Sequence, residues 1–225
     1  MSKTQRMAIT RDIELDAGGQ PVPGVIWMPA DDGSPGPTVL MGHGRCGSRH
    51  DPYLEELAVE WVSRHGWTVV ALDAPFHGDR DQRSDVSATP RKPEARQVRA
   101  EWQAAIDHVV AAKLADPGRL GYWGLSMGAA FGIPLLAAET RVSCAVLGLM
   151  HTRYYEDLVS DAQNVQCPVM FSLHWDDQRV PRSEGLDLFD AIGSTDKRLH
   201  VYPGDHGAFL PEEIHSGERF LASHF

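Results

Sequence analysis

A serine stands between two glycines in the segment L-G-Y-W-G-L-S-M-G-A-A, which carries the pattern G-x-S-x-G around Ser126. A short apolar run precedes the pattern and a helical run follows it, so Ser126 falls on a sharp strand-to-helix turn. Gly124 and Gly128 remove the collisions that side chains would make beside such a turn. The turn exposes the hydroxyl and aims the amide of Met127 at the same space, where it can bind a developing oxyanion. The pattern therefore predicts acyl transfer through a serine nucleophile.

With this turn the chain resembles the α/β-hydrolase superfamily, and more narrowly its compact, lid-poor esterases and dienelactone-hydrolase-like enzymes. The resemblance runs from about Pro37 to the C terminus. It implies one α/β-hydrolase domain over residues 1–225 and cleavage of carboxylic esters with short or medium acyl groups through an acyl-enzyme. No cofactor is implied, and thioesters, lactones, amides and perhydrolysis share the route.

A serine hydroxyl is a poor nucleophile at neutral pH and needs a base, which in turn needs an orienting acid. In this fold both lie on loops after later strands, in the order serine, acid, histidine. The segment H-W-D-D-Q-R-V-P resembles the acid loop of the family and selects Asp177, three residues before Val180, with Asp176 as the alternative. The segment G-D-H-G-A-F follows the last predicted strand and resembles the histidine loop, which implies His206 as the base.

The superfamily takes a second oxyanion-binding amide from the loop after the first buried parallel strand. That loop is G-H-G-R-C-G-S here, so the resemblance assigns the amide to Arg45, with His43 and Gly44 shaping the turn. In the next loop, A-L-D-A-P-F-H-G-D-R, we expect Asp73 to hold neighbouring loops by hydrogen bonds and to have no catalytic role.

A substrate pocket should lie beside these groups, at the carboxyl ends of the strands. Our predicted pocket residues are Cys46, Phe76, His77, His151, Trp175 and Phe209. Arg45 and Arg153 also lie on loops at this end, which suggests binding of a substrate carboxylate.

Elements that could position these residues follow from the apolar periodicity. From Pro37 onward, runs rich in Val, Leu and aromatic residues alternate with helical patterns, which favours a mostly parallel sheet with helices on both faces. Two earlier runs joined by D-A-G-G-Q-P indicate an antiparallel N-terminal edge. The predicted strands are 8–16, 25–28, 38–41, 67–72, 120–123, 145–150, 169–173 and 199–202.

Helices are predicted from Asp51-Pro52 to Gly66, around 98–109, over 127–139 and 181–192, and from Pro211 to the C terminus. Residues 78–94 read as a surface loop. About seventeen residues separate Met150 from Pro168, which leaves no room for a bulky lid. Pro134 inside the third helix is unexpected, since an interior proline costs roughly 3 kcal/mol.

Composition and net charge limit the classes of partner that this chain can bind. The 225 residues are 42% hydrophobic and 23% charged, and no apolar run approaches the ~20 residues of a membrane-spanning helix. A net charge of −10 argues against nucleic-acid binding. An N terminus without a secretory pattern and three widely spaced cysteines indicate a cytoplasmic protein with free thiols. We expect no membrane partner, a small-molecule substrate, and a monomer or homodimer.

Other functions remain open at this point. His43, His50, Asp51, His77 and Asp79 lack the spacing of a helical zinc motif, so we predict no metal site. A non-catalytic binding protein could keep the same fold and pocket. A carbon–carbon hydrolase or cyclase of polyketide-like substrates could use the same residues and leave simple esters untouched.

Overall fold

The computed structural model describes residues 6–30, 35–80 and 92–225. The strands in these ranges form one eight-stranded sheet. The strands are β1 (Ala8–Asp16), β2 (Pro21–Pro29), β3 (Gly36–Gly42), β4 (Thr68–Leu72), β5 (Ala115–Leu125), β6 (Val142–Gly148), β7 (Val169–His174) and β8 (Lys197–Tyr202). Their order in the sheet is β1-β2-β4-β3-β5-β6-β7-β8. β2 pairs antiparallel with β1 and β4, and the remaining pairs are parallel. The predicted antiparallel edge and parallel core are confirmed.

Helices cover both faces of this sheet, as the periodicity predicts. They are α1 (Pro52–His65), α2 (Lys92–Ala111), α3 (Met127–Leu136), α4 (Leu158–Gln163), α5 (Arg182–Ala191) and α6 (Pro211–Ala222). Alternate residues of a strand point to opposite faces. Tyr122 on β5 therefore belongs to the core under α2 to α5, whereas Trp123 belongs to the core under α1 and α6.

The first helix shows how local sequence sets an element. The Asp51 carboxylate accepts a hydrogen bond from the Tyr53 amide at 3.2 Å, and Pro52 occupies the first turn. The apolar stripe is buried: Leu54, Leu57, Ala58, Trp61 and Val62. Gly66 ends the helix in the left-handed conformation, with φ of 70°.

Several bounds differ from the prediction. β2 starts at Pro21, four residues before the prediction. Pro21 and Pro23 lie outside the segment that pairs with β4, Gly24–Trp27, so their missing N–H groups are tolerated there. α3 ends at Leu136, so Pro134 lies near its C-terminal end. The short helix α4 was not predicted. Of the predicted loop over 78–94, residues 81–91 lie outside the described part, and α2 begins at Lys92.

Across the described ranges, no helix combines the length and apolarity needed to cross a lipid bilayer.

Candidate active site

Ser126 occupies the turn between β5 and α3 in a strained conformation, with φ of 57° and ψ of −124°. Its amide donates to the Gly148 carbonyl at 2.9 Å, which fastens the turn to the end of β6. A Cβ atom on Gly128 would lie 2.4 Å from the Gly42 carbonyl oxygen, and one on Gly124 would lie 2.6 Å from Gly128. The two glycines are therefore required where the helix starts against β3 and β5.

A chain of two hydrogen bonds starts at this serine. The Ser126 hydroxyl lies 2.8 Å from Nε2 of His206, and Nδ1 of His206 lies 2.7 Å from Oδ2 of Asp177. Asp177 is a carboxylate acceptor, so Nδ1 carries the proton and Nε2 is left to accept the serine proton. The Asp177 side chain is 2% exposed, and its Oδ1 atom accepts from the amides of Arg179 and Val180. The carboxylate thus has a fixed orientation.

Two loops carry the acid and the histidine: the acid loop, residues 175–180, and the histidine loop, residues 203–209. The Trp175 amide donates to Tyr202 at 2.8 Å, just before the histidine loop. The Asp205 carboxylate accepts from the amides of Gln178 and His206 at 2.9 and 2.8 Å. These two hydrogen bonds hold the pKa of Asp205 below its usual value. The acid loop and the histidine loop are therefore joined by hydrogen bonds from backbone amides in addition to the hydrogen bond between Asp177 and the His206 imidazole.

Asp176, the alternative acid, is exposed and does not contact His206. Its Oδ2 atom accepts from the Gly204 amide at 3.2 Å, and its own amide donates to the Gly204 carbonyl at the same distance. Of the two neighbouring carboxylates, the structure brings Asp177 to the imidazole.

A cavity of about 290 Å³ opens beside Ser126 and His206 and is also lined by Arg45 and Met127. Met127 is the first residue of α3, where a backbone N–H has no partner within the helix. The Gly44 carbonyl accepts from Gly47 and from Nδ1 of His43, at 3.0 and 2.7 Å. In a trans peptide the next N–H points the opposite way, so the Arg45 amide faces away from these contacts.

His43 holds this loop from below. Its Nε2 atom accepts from the Ala74 amide at 3.0 Å. Burial lowers its pKa to about 4, so the ring is neutral at neutral pH. Sequence reasoning expected this structural role, and the ring is 2% exposed.

Asp73 joins the same loops, as expected. It is fully buried, and its carboxylate accepts from the Arg49 amide at 2.7 Å, from the Arg49 guanidinium and from the Asp79 amide. A Cβ atom on Gly78, which has φ of 57°, would strike this carboxylate. The contacts between Asp73 and Arg49 therefore fix the loop after β4 against the loop after β3.

The predicted pocket residues are only partly brought together. His151 lines the cavity, and burial lowers its pKa, with Arg153 and His206 acting in the same direction. Among the described residues, the cavity lining omits five others: Cys46, Phe76, His77, Trp175 and Phe209.

These five have other surroundings. Cys46 is exposed. Phe76 stands at a turn with φ of 67°. Nε2 of His77 lies 2.7 Å from the Arg45 carbonyl oxygen, so it contacts the loop after β3. Trp175 is 56% exposed beneath the Arg182 guanidinium, and Phe209 stacks on Tyr53.

Sequence reasoning missed other lining residues on two loops. Leu149, Met150 and Tyr154 come from the loop after β6, and Arg179 and Val180 come from the acid loop. The available signal was their position, since ligands of open α/β sheets bind outside the carboxyl ends of the strands.

A group of potential metal ligands lies elsewhere, between α1 and α6. Glu60, His215 and Glu218 place one ligand atom each within 4.8 Å of one another. Arg64 already bonds both carboxylates, and His65 lies 2.5 Å from Glu218. These contacts give the carboxylates cationic partners within the protein itself.

Comparison with known proteins identifies relatives of this chain. Residues 22–220 match the sequence signature of the dienelactone hydrolase family. A cold-adapted esterase from an Arctic intertidal metagenomic library is 36% identical, with a TM-score of 0.84 over 97% of this chain and 95% of that chain. The acetyl xylan esterase from Paenibacillus sp. R4 is 17% identical and shares the fold, with a TM-score of 0.81 over 100% of this chain and 87% of that chain. Among curated proteins, none matches this chain.

The fold and the site define a hydrolase of carboxylic esters. The chain belongs to the dienelactone hydrolase family, in agreement with the resemblance carried by its serine turn.

Proposed function

We propose that this enzyme is a serine esterase whose catalytic triad is Ser126, His206 and Asp177. The observation that carries the proposal is the pair of hydrogen bonds, 2.8 and 2.7 Å long, that links the three side chains beside the cavity. Residues from three different loops meet in the order that nucleophilic catalysis requires.

Acylation begins when Oγ of Ser126 attacks the ester carbonyl carbon and its proton passes to Nε2 of His206. The carbonyl oxygen becomes an oxyanion and accepts hydrogen bonds from the amides of Met127 and Arg45. Collapse breaks the bond to the alcohol oxygen, which takes the proton from His206. Asp177 stabilises the imidazolium and keeps its ring oriented.

Deacylation repeats these steps with water. His206 takes a proton from water as its oxygen attacks the acyl carbon. The second oxyanion collapses, the bond to Oγ of Ser126 breaks, and the serine regains its proton from the imidazole. The products are a carboxylic acid and an alcohol, and no cofactor takes part.

The test is labelling with a fluorophosphonate probe and turnover of a short-chain aryl ester. Ser126→Ala should abolish labelling and lower kcat by about 10⁴-fold or more. Ser160→Ala, on the exposed surface of α4, is the matched control and should change neither. Labelling that persists in Ser126→Ala would place the nucleophile elsewhere, and a wild-type protein without turnover would favour a binding protein.

We further propose that a substrate with a carboxylate near the scissile bond is favoured. Arg45, Arg153 and Arg179 line the cavity. Glu184 bonds the guanidinium of Arg153 through both oxygens, whereas within the described residues the side chains of Arg45 and Arg179 have no ion-pair partner. Arg45 and Arg179, rather than Arg153, are therefore available to an anionic group.

Matched aryl butyrate and aryl hemisuccinate esters test this preference. We expect a higher kcat/KM for the hemisuccinate, reduced about five- to tenfold by Arg179→Gln because one partly solvated charge contact contributes about 1 kcal/mol. Arg153→Ala is the comparison variant. Equal cleavage of both esters by the wild type would remove the proposal and leave the triad untouched.

A further inference from the structure

A buried pair of oppositely charged side chains lies beneath the acid and histidine loops. His174 ends β7 and its side chain is 0% exposed, while Glu213 lies in the first turn of α6 with a side chain 1% exposed. Nε2 of His174 lies 2.8 Å from Oε2 of Glu213. Lys, Glu and similar groups are rarely buried to this extent unless they are paired. The proposed acyl-transfer mechanism gives this pair no task.

The second ring nitrogen of His174 contacts the backbone beside the predicted base. Its Nδ1 atom lies 2.9 Å from the carbonyl oxygen of Asp205, the residue immediately before His206. A carbonyl and a carboxylate are both acceptors, so the ring donates from both nitrogens, which only the imidazolium can do. Burial acts to lower the pKa of His174, but the hydrogen bonds to Glu213 and to the Asp205 carbonyl outweigh it and raise the pKa.

These contacts fix the backbone of Asp205, immediately before His206. Asp205 is held at its carbonyl by His174 and by the Ala208 amide, which donates at 3.0 Å and closes the turn around His206, and at its carboxylate by the amides of Gln178 and His206. Gly207, the residue after His206, has no heavy atom other than those of its chain neighbours within 4 Å of where a Cβ would stand, so little packs against the loop on that side. Of the two described donors to the Asp205 carbonyl, only His174 lies outside the histidine loop, so it ties the backbone beside His206 to β7 and, through Glu213, to α6.

We infer that His174 and Glu213 are positioning residues for catalysis: the His174 ring, held by Glu213, anchors the Asp205 carbonyl and so keeps His206 within hydrogen-bonding distance of Ser126. The inference rests on the proposed triad. It assigns no contact with substrate to either residue, and the Glu213 carboxylate acts through the imidazole of His174.

Two substitutions at position 174 separate the two hydrogen bonds. The amide nitrogen of His174→Asn can replace Nδ1 and donate to Asp205, while the contact with Glu213 is lost. The amide nitrogen of His174→Gln can replace Nε2 and donate to Glu213, while the contact with Asp205 is lost. A pair that serves stability alone should tolerate Gln better, because Asn leaves a buried carboxylate without its partner.

The experiment measures kcat, KM and the thermal unfolding midpoint for both variants with a short-chain aryl ester. We expect His174→Gln to lower kcat by about 100-fold with little change in KM, as a small displacement of a reacting group does. His174→Asn should keep kcat within about fivefold of the wild type despite a lower unfolding midpoint. Equal loss in both variants, or the reverse order, would overturn the inference.

Glu213→Gln provides a second arm if a position-174 variant does not fold. Its amide can donate to Nε2 of a neutral His174 ring, which keeps Nδ1–H on Asp205, so kcat should be retained; Glu213→Leu removes that support and should lower kcat. The downfield N–H proton of His206, identified by its loss in Asp177→Asn, should persist in Glu213→Gln and broaden or shift in Glu213→Leu. An unchanged proton and unchanged kcat in Glu213→Leu would overturn the inference. Fluorophosphonate labelling of the wild type tests the triad separately.

Discussion

The Asp176 carboxylate accepts a hydrogen bond from the Gly204 amide at 3.2 Å, so it joins the acid loop to the histidine loop. The next carboxylate along the chain, on Asp177, bonds His206 instead. Adjacent residues of the same type thus have different surroundings, one exposed and structural, the other enclosed beside the imidazole.

This difference predicts opposite outcomes for two isosteric changes. Asp177→Asn should lower kcat by about 10⁴-fold, because an amide can force His206 into the wrong tautomer. Asp176→Asn should keep kcat within a few-fold and lower the unfolding midpoint slightly. Steady-state kinetics and thermal melts of the two variants check this. If Asp176→Asn were the slower enzyme, the assignment of the acid would be wrong.

Acid should destabilise the fold through His43. Its pKa is about 4 in the folded protein, below the ordinary 6.5, so the unfolded chain binds the proton more readily. The stabilisation is present above pH 6.5 and is lost as the pH falls towards 4, by up to about 3 kcal/mol. Urea unfolding across this range should show a flatter pH dependence for His43→Gln than for wild type. His108→Gln, on the exposed side of α2, is the control and should leave the wild-type dependence unchanged.

Gly128→Ala should damage both stability and turnover. The added methyl group would meet the Gly42 carbonyl oxygen at 2.4 Å, so β3 and the start of α3 must separate. We expect a loss of about 1–3 kcal/mol in unfolding free energy and a lower kcat, because the turn that presents Ser126 moves with α3. Gly118→Ala, whose Cβ would have only an ordinary 3.4 Å contact, is the matched control. Wild-type kinetics in Gly128→Ala would show that this close approach is unimportant.

Arg49→Met should be strongly destabilising, since it leaves the fully buried Asp73 carboxylate without its guanidinium. Breaking a buried pair from one side costs about 3–5 kcal/mol. Arg119→Met removes the ion pair between Arg119 and Asp116, whose two side chains are 41% and 35% exposed, and should leave the free energy of unfolding nearly unchanged because exposed ion pairs are screened by water. Chemical denaturation compares the two variants. A similar small effect in both would mean that the Asp73 carboxylate finds other partners.

Features with a local cause could be predicted from the sequence. Steric limits around Ser126 require glycine at positions 124 and 128, and the cap and stripe of α1 follow from Asp51, Pro52 and residues spaced at helical intervals. The alternation of apolar runs with helical patterns along the chain likewise predicts the parallel core.

Features that depend on packing between distant segments could not be predicted in the same way. Phe209 was expected in the pocket, but Tyr53 on α1 offers its ring a stacking partner 5.1 Å away. Trp175 was also expected in the pocket, but its ring lies on the surface, 4.0 Å from the Arg182 guanidinium. Arg179 lines the cavity, and its amide donates to the Asp177 carboxylate at the turn of the acid loop. None of these contacts produces a periodic pattern in the amino-acid sequence.

The proposed base, His206, follows β8, so activity is expected to depend on a strand at the edge of the sheet. Among the described strands, β8 has a neighbour on one side only and none of its six residues is fully buried, whereas Ser126 follows the central strand β5. Local unfolding of an edge strand requires less free energy than local unfolding of a central strand. Fraying of β8 on heating would withdraw His206 while the central strands remain folded, so heat inactivation should precede the loss of helical circular dichroism.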